Sequence, residues 1–226
     1  MLPKVGARFN MLPLKFNKEP GERLSLLCLG AHCDDIEIGC GGTLLHLATS
    51  RLQLEFHWVV LAAAGLRAEE ARKGAGLFLG GARTELIFKE FPDGFMPYSG
   101  GVVKDFFEEL KGRVNPDVVL THWRGDAHQD HRLISELTRN TFRNHLILEY
   151  EIPKYDGDMG QPNLFVPLSE VMVRQKIQNL MGAFESQHAK PWFREETFSA
   201  LMRLRGMECN SASGYAEAFH CHKLVL

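Results

Sequence analysis

Apolar residues in this chain fall into short, nearly unbroken runs separated by segments of helical spacing. Leu24-Ser25-Leu26-Leu27-Cys28-Leu29-Gly30, Leu54 to Ala62, Thr84 to Phe88, Asp117-Val118-Val119-Leu120-Thr121 and His145 to Glu149 read as strands. Runs with so little polar alternation are those of strands covered on both faces, as in parallel sheets. Helical patterns lie between them: one near Thr43 to Arg51, Arg67 to Leu79 with a wet side of Arg67, Glu69, Glu70, Arg72 and Lys73, Val102 to Arg113, and His131 to Phe142. Pro92-Asp93-Gly94 marks a turn after the third strand. The alternation predicts right-handed crossovers and a mostly parallel sheet between two helix layers. Beyond Tyr150 the pattern changes, and Pro153, Gly157, Gly160, Pro162 and Pro167 mark a loop-rich stretch suited to a substrate-facing surface. Ser169 is the expected N-cap of a helix running to about Phe184, and Glu195 to Arg205 reads as another.

Composition bounds this picture. With 226 residues and 45% hydrophobic content, the chain suffices for one substantial α/β domain and is short for two. We read residues 1–226 as a single domain, with an extended arm over 1–21 and a loop-rich, helical part over 151–226. The arm is expected to pack on a neighbouring copy, in a homo-oligomer. A net charge of -2 leaves no basic footprint for nucleic acid and no polybasic membrane patch, so the expected partners are small molecules. An odd count of five cysteines without a regular framework points to a reduced, cytoplasmic setting. No run approaches a membrane span, and stable membrane insertion is not expected.

The chemistry concentrates in two clusters, Ala31-His32-Cys33-Asp34-Asp35 and Asp126-Ala127-His128-Gln129-Asp130-His131, each just after an expected strand. In open α/β sheets, ligands bind outside the carboxyl ends of the strands. A catalytic zinc usually takes three protein ligands from histidine and carboxylate and keeps a position open, and His32, Asp35 and His131 would supply that set. Water bound to such an ion titrates near neutrality, and Asp34 is placed to finish its deprotonation. His128 and His131, three residues apart, could face one cleft from a first helical turn. His128 would then be free to meet a developing oxyanion, with Asp130 holding it protonated.

Blander readings stand beside these. His-x-Asp-Asp can be a capping and turn device, and His-x-x-His can be surface polarity at a helix start. Gly39 to Gly42 do not form Gly-x-Gly-x-x-Gly, so tight packing beneath the site is the better reading than nucleotide binding. His220-Cys221-His222 reads as strand or tail, and Trp58, Trp123 and Trp192 as core or cleft wall, with Trp123 lying between the fourth strand and His128.

The run from Ala31 to Thr43, with His128-Gln129-Asp130-His131 downstream, resembles the LmbE/PIG-L family of metal-dependent de-N-acetylases. Weaker echoes stand at Glu185-Ser186-Gln187 and Gly214 to Phe219. The resemblance implies a Rossmann-like three-layer αβα sandwich and hydrolysis of an N-acetyl group from an amino sugar, usually a glucosamine unit carried on something else. It also implies His32, Asp35 and His131 as ligands of Zn2+, with Fe2+ or another divalent ion able to take the same set. Asp34 would be the general base, His128 and Asp130 the oxyanion-stabilising pair, and Arg67 and Asp93 would bind substrate. The chain departs from the family where Cys33 replaces a common proline, and where Glu37 stands one place later than the usual glutamate. Two alternatives stay open: a metal-dependent amidase for a different amide conjugate, and a non-catalytic sugar- or nucleotide-binding module.

Overall fold

The computed structural model describes residues 11–225. Strands β1 (Arg23–Gly30), β2 (Gln53–Val60), β3 (Arg83–Phe88), β4 (Val118–His122) and β5 (Leu146–Tyr150) alternate with helices α1 (Asp35–Ala48), α2 (Gly65–Leu79), α3 (Gly100–Arg113) and α4 (Gln129–Thr141). Then follow β6 (Leu164–Pro167), α5 (Glu170–Ala183), α6 (Glu195–Glu208) and β7 (Ala216–Cys221). The seven strands form one sheet in the order β3-β2-β1-β4-β5-β7-β6. The first five are parallel, and β7 runs antiparallel to both β5 and β6. Leu27, Leu29, Val59 and Val119 face α3 and α4, whereas Leu26, Cys28, Phe56, Trp58 and Leu120 face α1, α2 and α5. This is the expected three-layer αβα sandwich with a mostly parallel sheet.

The first helix starts eight residues earlier than its pattern suggests, at Asp35 and not near Thr43. Its glycines conceal it, because every residue from Asp35 to Leu44 is buried and no wet face sets a period. A Cβ on Gly39 would overlap the Tyr150 ring, and one on Gly41 the Phe78 ring, so these glycines let α1 lie close beneath the site. Ser169 caps α5 as expected, accepting the Met172 N–H at 3.2 Å. The apolar pattern has no strand for β6, a four-residue, partly exposed edge strand ending in Pro167. The His220-Cys221 dipeptide becomes the end of β7.

Residues 11–22 carry no strand or helix and are mostly exposed, although Lys18 Nζ holds Asp117 Oδ1 at 3.0 Å. Residues 1–10 of the expected arm lie outside the described residues. Among the described residues no helix is long and apolar enough to cross a membrane.

Candidate active site

The strand order reverses between β1 and β4. A doubly wound sheet leaves its crevice at such a point, where the helices after the two strands diverge to opposite faces. The His32–Asp35 turn leaves β1 into α1, and the segment 123–128 leads from β4 into α4, so both clusters empty into this crevice.

There the three expected metal ligands meet. His32 Nδ1 stands 3.2 Å from His131 Nε2 and 3.4 Å from Asp35 Oδ2, and His131 Nε2 lies 3.5 Å from Asp35 Oδ1. Each ligand-facing histidine also offers its other ring nitrogen to a carboxylate. His131 Nδ1 is 2.9 Å from Asp126 Oδ2, and His32 Nε2 is 3.0 Å from Asp93 Oδ1 and 3.4 Å from Asp130 Oδ2. Such partners orient a metal-binding imidazole and raise its basicity. Burial opposes the charged form of His32, but Asp35, Asp130 and Asp93 outweigh it and push its pKa well above the ordinary histidine range. Burial likewise opposes ionisation of Asp35, and the surrounding His131, His122 and His32 reverse it and hold its pKa well below the carboxylate range. The two imidazole nitrogens are 3.2 Å apart and each has one Asp35 oxygen within 3.5 Å, a donor chemistry that suits a divalent cation, in a cluster where His32, His128 and His131, and Asp35, His122 and His131, each bring three ligand atoms within 4.8 Å.

Asp34 leaves the same turn in another direction. Its Oδ2 is 3.2 Å from Arg67 Nη2 on α2. Burial raises the pKa of Asp34 and Asp35 adds to this, while Arg67 works against both, and the net direction is upward. A raised carboxylate is a better base near neutral pH. Arg67 is held in turn by Glu70 at 3.0 Å, and Glu70 accepts from the Ser186 backbone N–H at 2.8 Å and hydroxyl at 2.6 Å. The short 3-10 helix Glu185–Gln187 thus braces Arg67 from the C-terminal part of the chain.

His128 is the N-cap of α4, and its Nδ1 accepts the Asp130 backbone N–H at 3.3 Å. An accepting Nδ1 leaves the proton on Nε2, available to the cleft. The expected side-chain pairing of Asp130 with His128 takes another form here. The Asp130 carboxylate accepts N–H bonds from Gly94 at 2.7 Å and Met96 at 3.2 Å, and faces His32. It fastens the turn after β3 to the site. Burial and the neighbouring charges of His131 and His32 lower the His128 pKa, against a smaller opposing pull from Asp130. His128 therefore resists protonation.

Three further residues build the site although the sequence pattern assigned them no role in it. His122, the last residue of β4, stacks on His131 with ring centroids 3.8 Å apart, and its Nε2 lies 3.2 Å from Asp35 Oδ2. Its signal was a histidine at the carboxyl end of an apolar run, one place beyond the expected strand. Asp126 backs His131, and burial, which would raise its pKa, is overcome by His131 so that it falls to about 2. Lys154 Nζ bridges Asp126 Oδ2 at 2.9 Å and Asp158 Oδ2 at 2.5 Å, which draws the 151–163 loop onto the cleft. Cys33 turns away instead. Its thiol donates to the Ala62 carbonyl at 3.4 Å, and burial pushes its pKa up to about 12.

The model of the PIG-L family, described as GlcNAc-PI de-N-acetylase, matches residues 27–142, just over half of the chain and both clusters. The chain belongs to the PIG-L family. Solved structures share the fold of this PIG-L chain at low identity. N,N'-diacetylchitobiose deacetylase from Pyrococcus horikoshii is 20% identical with a TM-score of 0.68, over 88% of this chain and 83% of that one. A conserved protein from Thermus thermophilus is 22% identical with a TM-score of 0.69, over 90% and 96%. GalB, the 4-carboxy-2-hydroxymuconate hydratase from Pseudomonas putida KT2440, is 18% identical with a TM-score of 0.67, over 90% and 98%.

Proposed function

We propose that this PIG-L protein is a metal-dependent hydrolase that removes the acetyl group from an N-acetylglucosamine-type amino sugar or its conjugate. The observation that carries the reading is the convergence of His32, Asp35 and His131 with Asp34 leaving the same turn beside them. His32, Asp35 and His131 would hold the ion, with zinc the first candidate and iron the second. Such an ion supplies Lewis acidity toward the acetyl carbonyl and makes a water acidic enough to deprotonate near neutral pH.

The chain's own groups do the rest. Asp34 accepts the proton of the attacking water, its oxygen held by Arg67. His128 donates from Nε2 to the oxygen that turns negative as the carbonyl becomes tetrahedral. The C–N bond then breaks, the amine leaves with the proton returned by Asp34, and acetate remains. Asp130 acts as a positioning residue, through its backbone on His128 and its carboxylate on His32 and the Gly94–Met96 turn. Arg67, beside Asp34, and Asp93, beside His32, would meet substrate hydroxyls. Five unpaired cysteines suit a reducing compartment, and we place the enzyme in the cytoplasm.

A protein of this fold is named as a hydratase, so the fold by itself does not choose the reaction. Release of acetate and free amine from a panel of N-acetylglucosaminides by metal-loaded protein tests the reading. Equal amounts of the two products support it, and release of neither from any member refutes the substrate class. Acetyl-free amides cleaved in their place would mark an amidase of another kind.

A further inference from the structure

A cavity of about 340 Å3 opens between α4, β5 and the segment after β7, and none of the site residues above lines it. Arg124, Arg139, Arg143 and Lys223 line it, against the carboxylates of Glu136 and Glu149. Four cations facing two acids stand out in a chain whose net charge is -2.

The acids leave half of that positive charge uncompensated. Glu149 is fully buried on β5, in register with Thr121, which bonds to Thr138 of α4, so it lies on the α4 side of the sheet. Its Oε2 accepts the Arg124 backbone N–H at 3.1 Å. Its Oε1 has no hydrogen-bond partner among the described residues and stands 3.5 Å from Arg139 Nη1. Arg139 also donates from Nη1 to His222 Nε2 at 2.8 Å, and Arg143 uses Nε on the Asn140 carbonyl at 3.0 Å. Among the described residues the Arg124 guanidinium has no hydrogen-bond or ion-pair partner, and neither has the Glu136 carboxylate. His145 Nδ1, on the same cavity, is buried and unpartnered. Each guanidinium carries five N–H donors, and at exposed Arg124 and Arg143 most of these are held by no protein group and stay free for a ligand that displaces solvent.

We propose that this cavity is a binding site for a small polyanion of the phosphate or diphosphate class. Planar guanidinium forks match phosphate oxygens two at a time, and the cavity falls at the lower end of the size range of small-ligand pockets. Arg124, Arg139 and Arg143 grip the anion, and buried Glu149 holds Arg139 in place beneath it. The site is also joined to the catalytic cleft. Arg124 is anchored on Glu149, and Asp126, two residues on, holds His131 Nδ1, so occupancy on one side of this turn bears on a metal ligand on the other. The anion can be free in solution or carried on the substrate, since both present the same oxygens.

Isothermal titration of the full chain with sodium pyrophosphate, and separately with inorganic phosphate, tests the site without relying on the deacetylase reading. Wild type should bind pyrophosphate more tightly than phosphate and more weakly as salt rises. Arg143→Gln, at an exposed position the fold does not need, should bind about tenfold more weakly, as should Arg139→Gln. No saturable heat with wild type, or undiminished wild-type affinity in both variants, overturns the proposal; the latter would place the anion at the metal centre. Kinetics separate the sources. A rate on a phosphate-free N-acetylglucosaminide that pyrophosphate changes in wild type and not in Arg143→Gln marks a free effector. A KM that rises in Arg143→Gln only for a phosphate-bearing N-acetylglucosaminide marks the substrate's own phosphate.

Discussion

His128 and His131 stand three residues apart on one turn, yet their ring nitrogens have different surroundings. His131 turns Nε2 to the ligand set and Nδ1 to Asp126, whereas His128 spends Nδ1 on a backbone N–H and keeps Nε2 for the cleft. Replacing them should therefore have separable effects. His131→Ala is expected to lose bound metal by elemental analysis. His128→Ala is expected to keep it and to lose about 2.7–4 kcal/mol of transition-state stabilisation, read as a drop in kcat of roughly a hundredfold to a thousandfold. Undiminished turnover in His128→Ala would remove it from the mechanism. Asp34→Asn keeps the shape of the side chain beside Arg67 but cannot take a proton, so it should bind metal and be nearly inactive. Substantial activity there would mean that another group is the base. The meeting of His32, Asp35 and His131 could be read from residue type and spacing. The partners of Asp130 could not, because its carboxylate is taken by Gly94 and Met96, on a turn more than thirty residues away in sequence.

At the scale of elements, α1 carries the tightest constraint. Gly39 faces the Tyr150 ring, and Tyr150 reaches on to donate its hydroxyl to the Leu29 carbonyl at 2.6 Å, with His122 Nε2 3.4 Å away. Gly39→Ala must push the ring or the helix aside, an overpacking cost of about 1–3 kcal/mol that a denaturant unfolding curve would register. An unchanged midpoint would mean that the helix has slack not seen here. The same closeness explains what the chain's pattern could and could not reveal. Strands β1 to β5 were legible because burial on both faces leaves continuous apolar runs, and α2 to α5 because one wet face sets a helical period. The start of α1 at Asp35 was hidden because its first ten residues are buried all round and no wet face sets a period. The edge strand β6 was hidden because four half-exposed residues carry too little pattern to separate from a loop.

Across the whole molecule, one buried ion pair binds the C-terminal third to the N-terminal half. Glu217 of β7 accepts from the Gly42 and Thr43 backbone N–H groups at 2.7 and 2.6 Å, and from Lys176 of α5 at 2.6 Å. Lys176 donates as well to the Ile38 carbonyl of α1. Lys176→Met leaves the Glu217 charge buried without its cation and should cost about 3–5 kcal/mol, whereas Lys176→Met with Glu217→Gln should cost less. If the chain is one cooperative unit, both variants unfold in a single transition that coincides by fluorescence and circular dichroism. Two separate transitions would divide the chain into independent parts. The placement of α5 and β7 in turn sets the braces on Arg67 and the loop over Asp126, so the C-terminal third belongs to the site as well as to the fold. The function proposed for the molecule requires the two clusters to form a metal-dependent deacetylating centre. Acetate release from N-acetylglucosaminides, followed before and after removal of metal by a chelator, tests it most directly. The expected result is acetate equal to free amine, abolished by the chelator and restored by zinc or iron; undiminished release from metal-free protein, or none from metal-loaded protein, would contradict it.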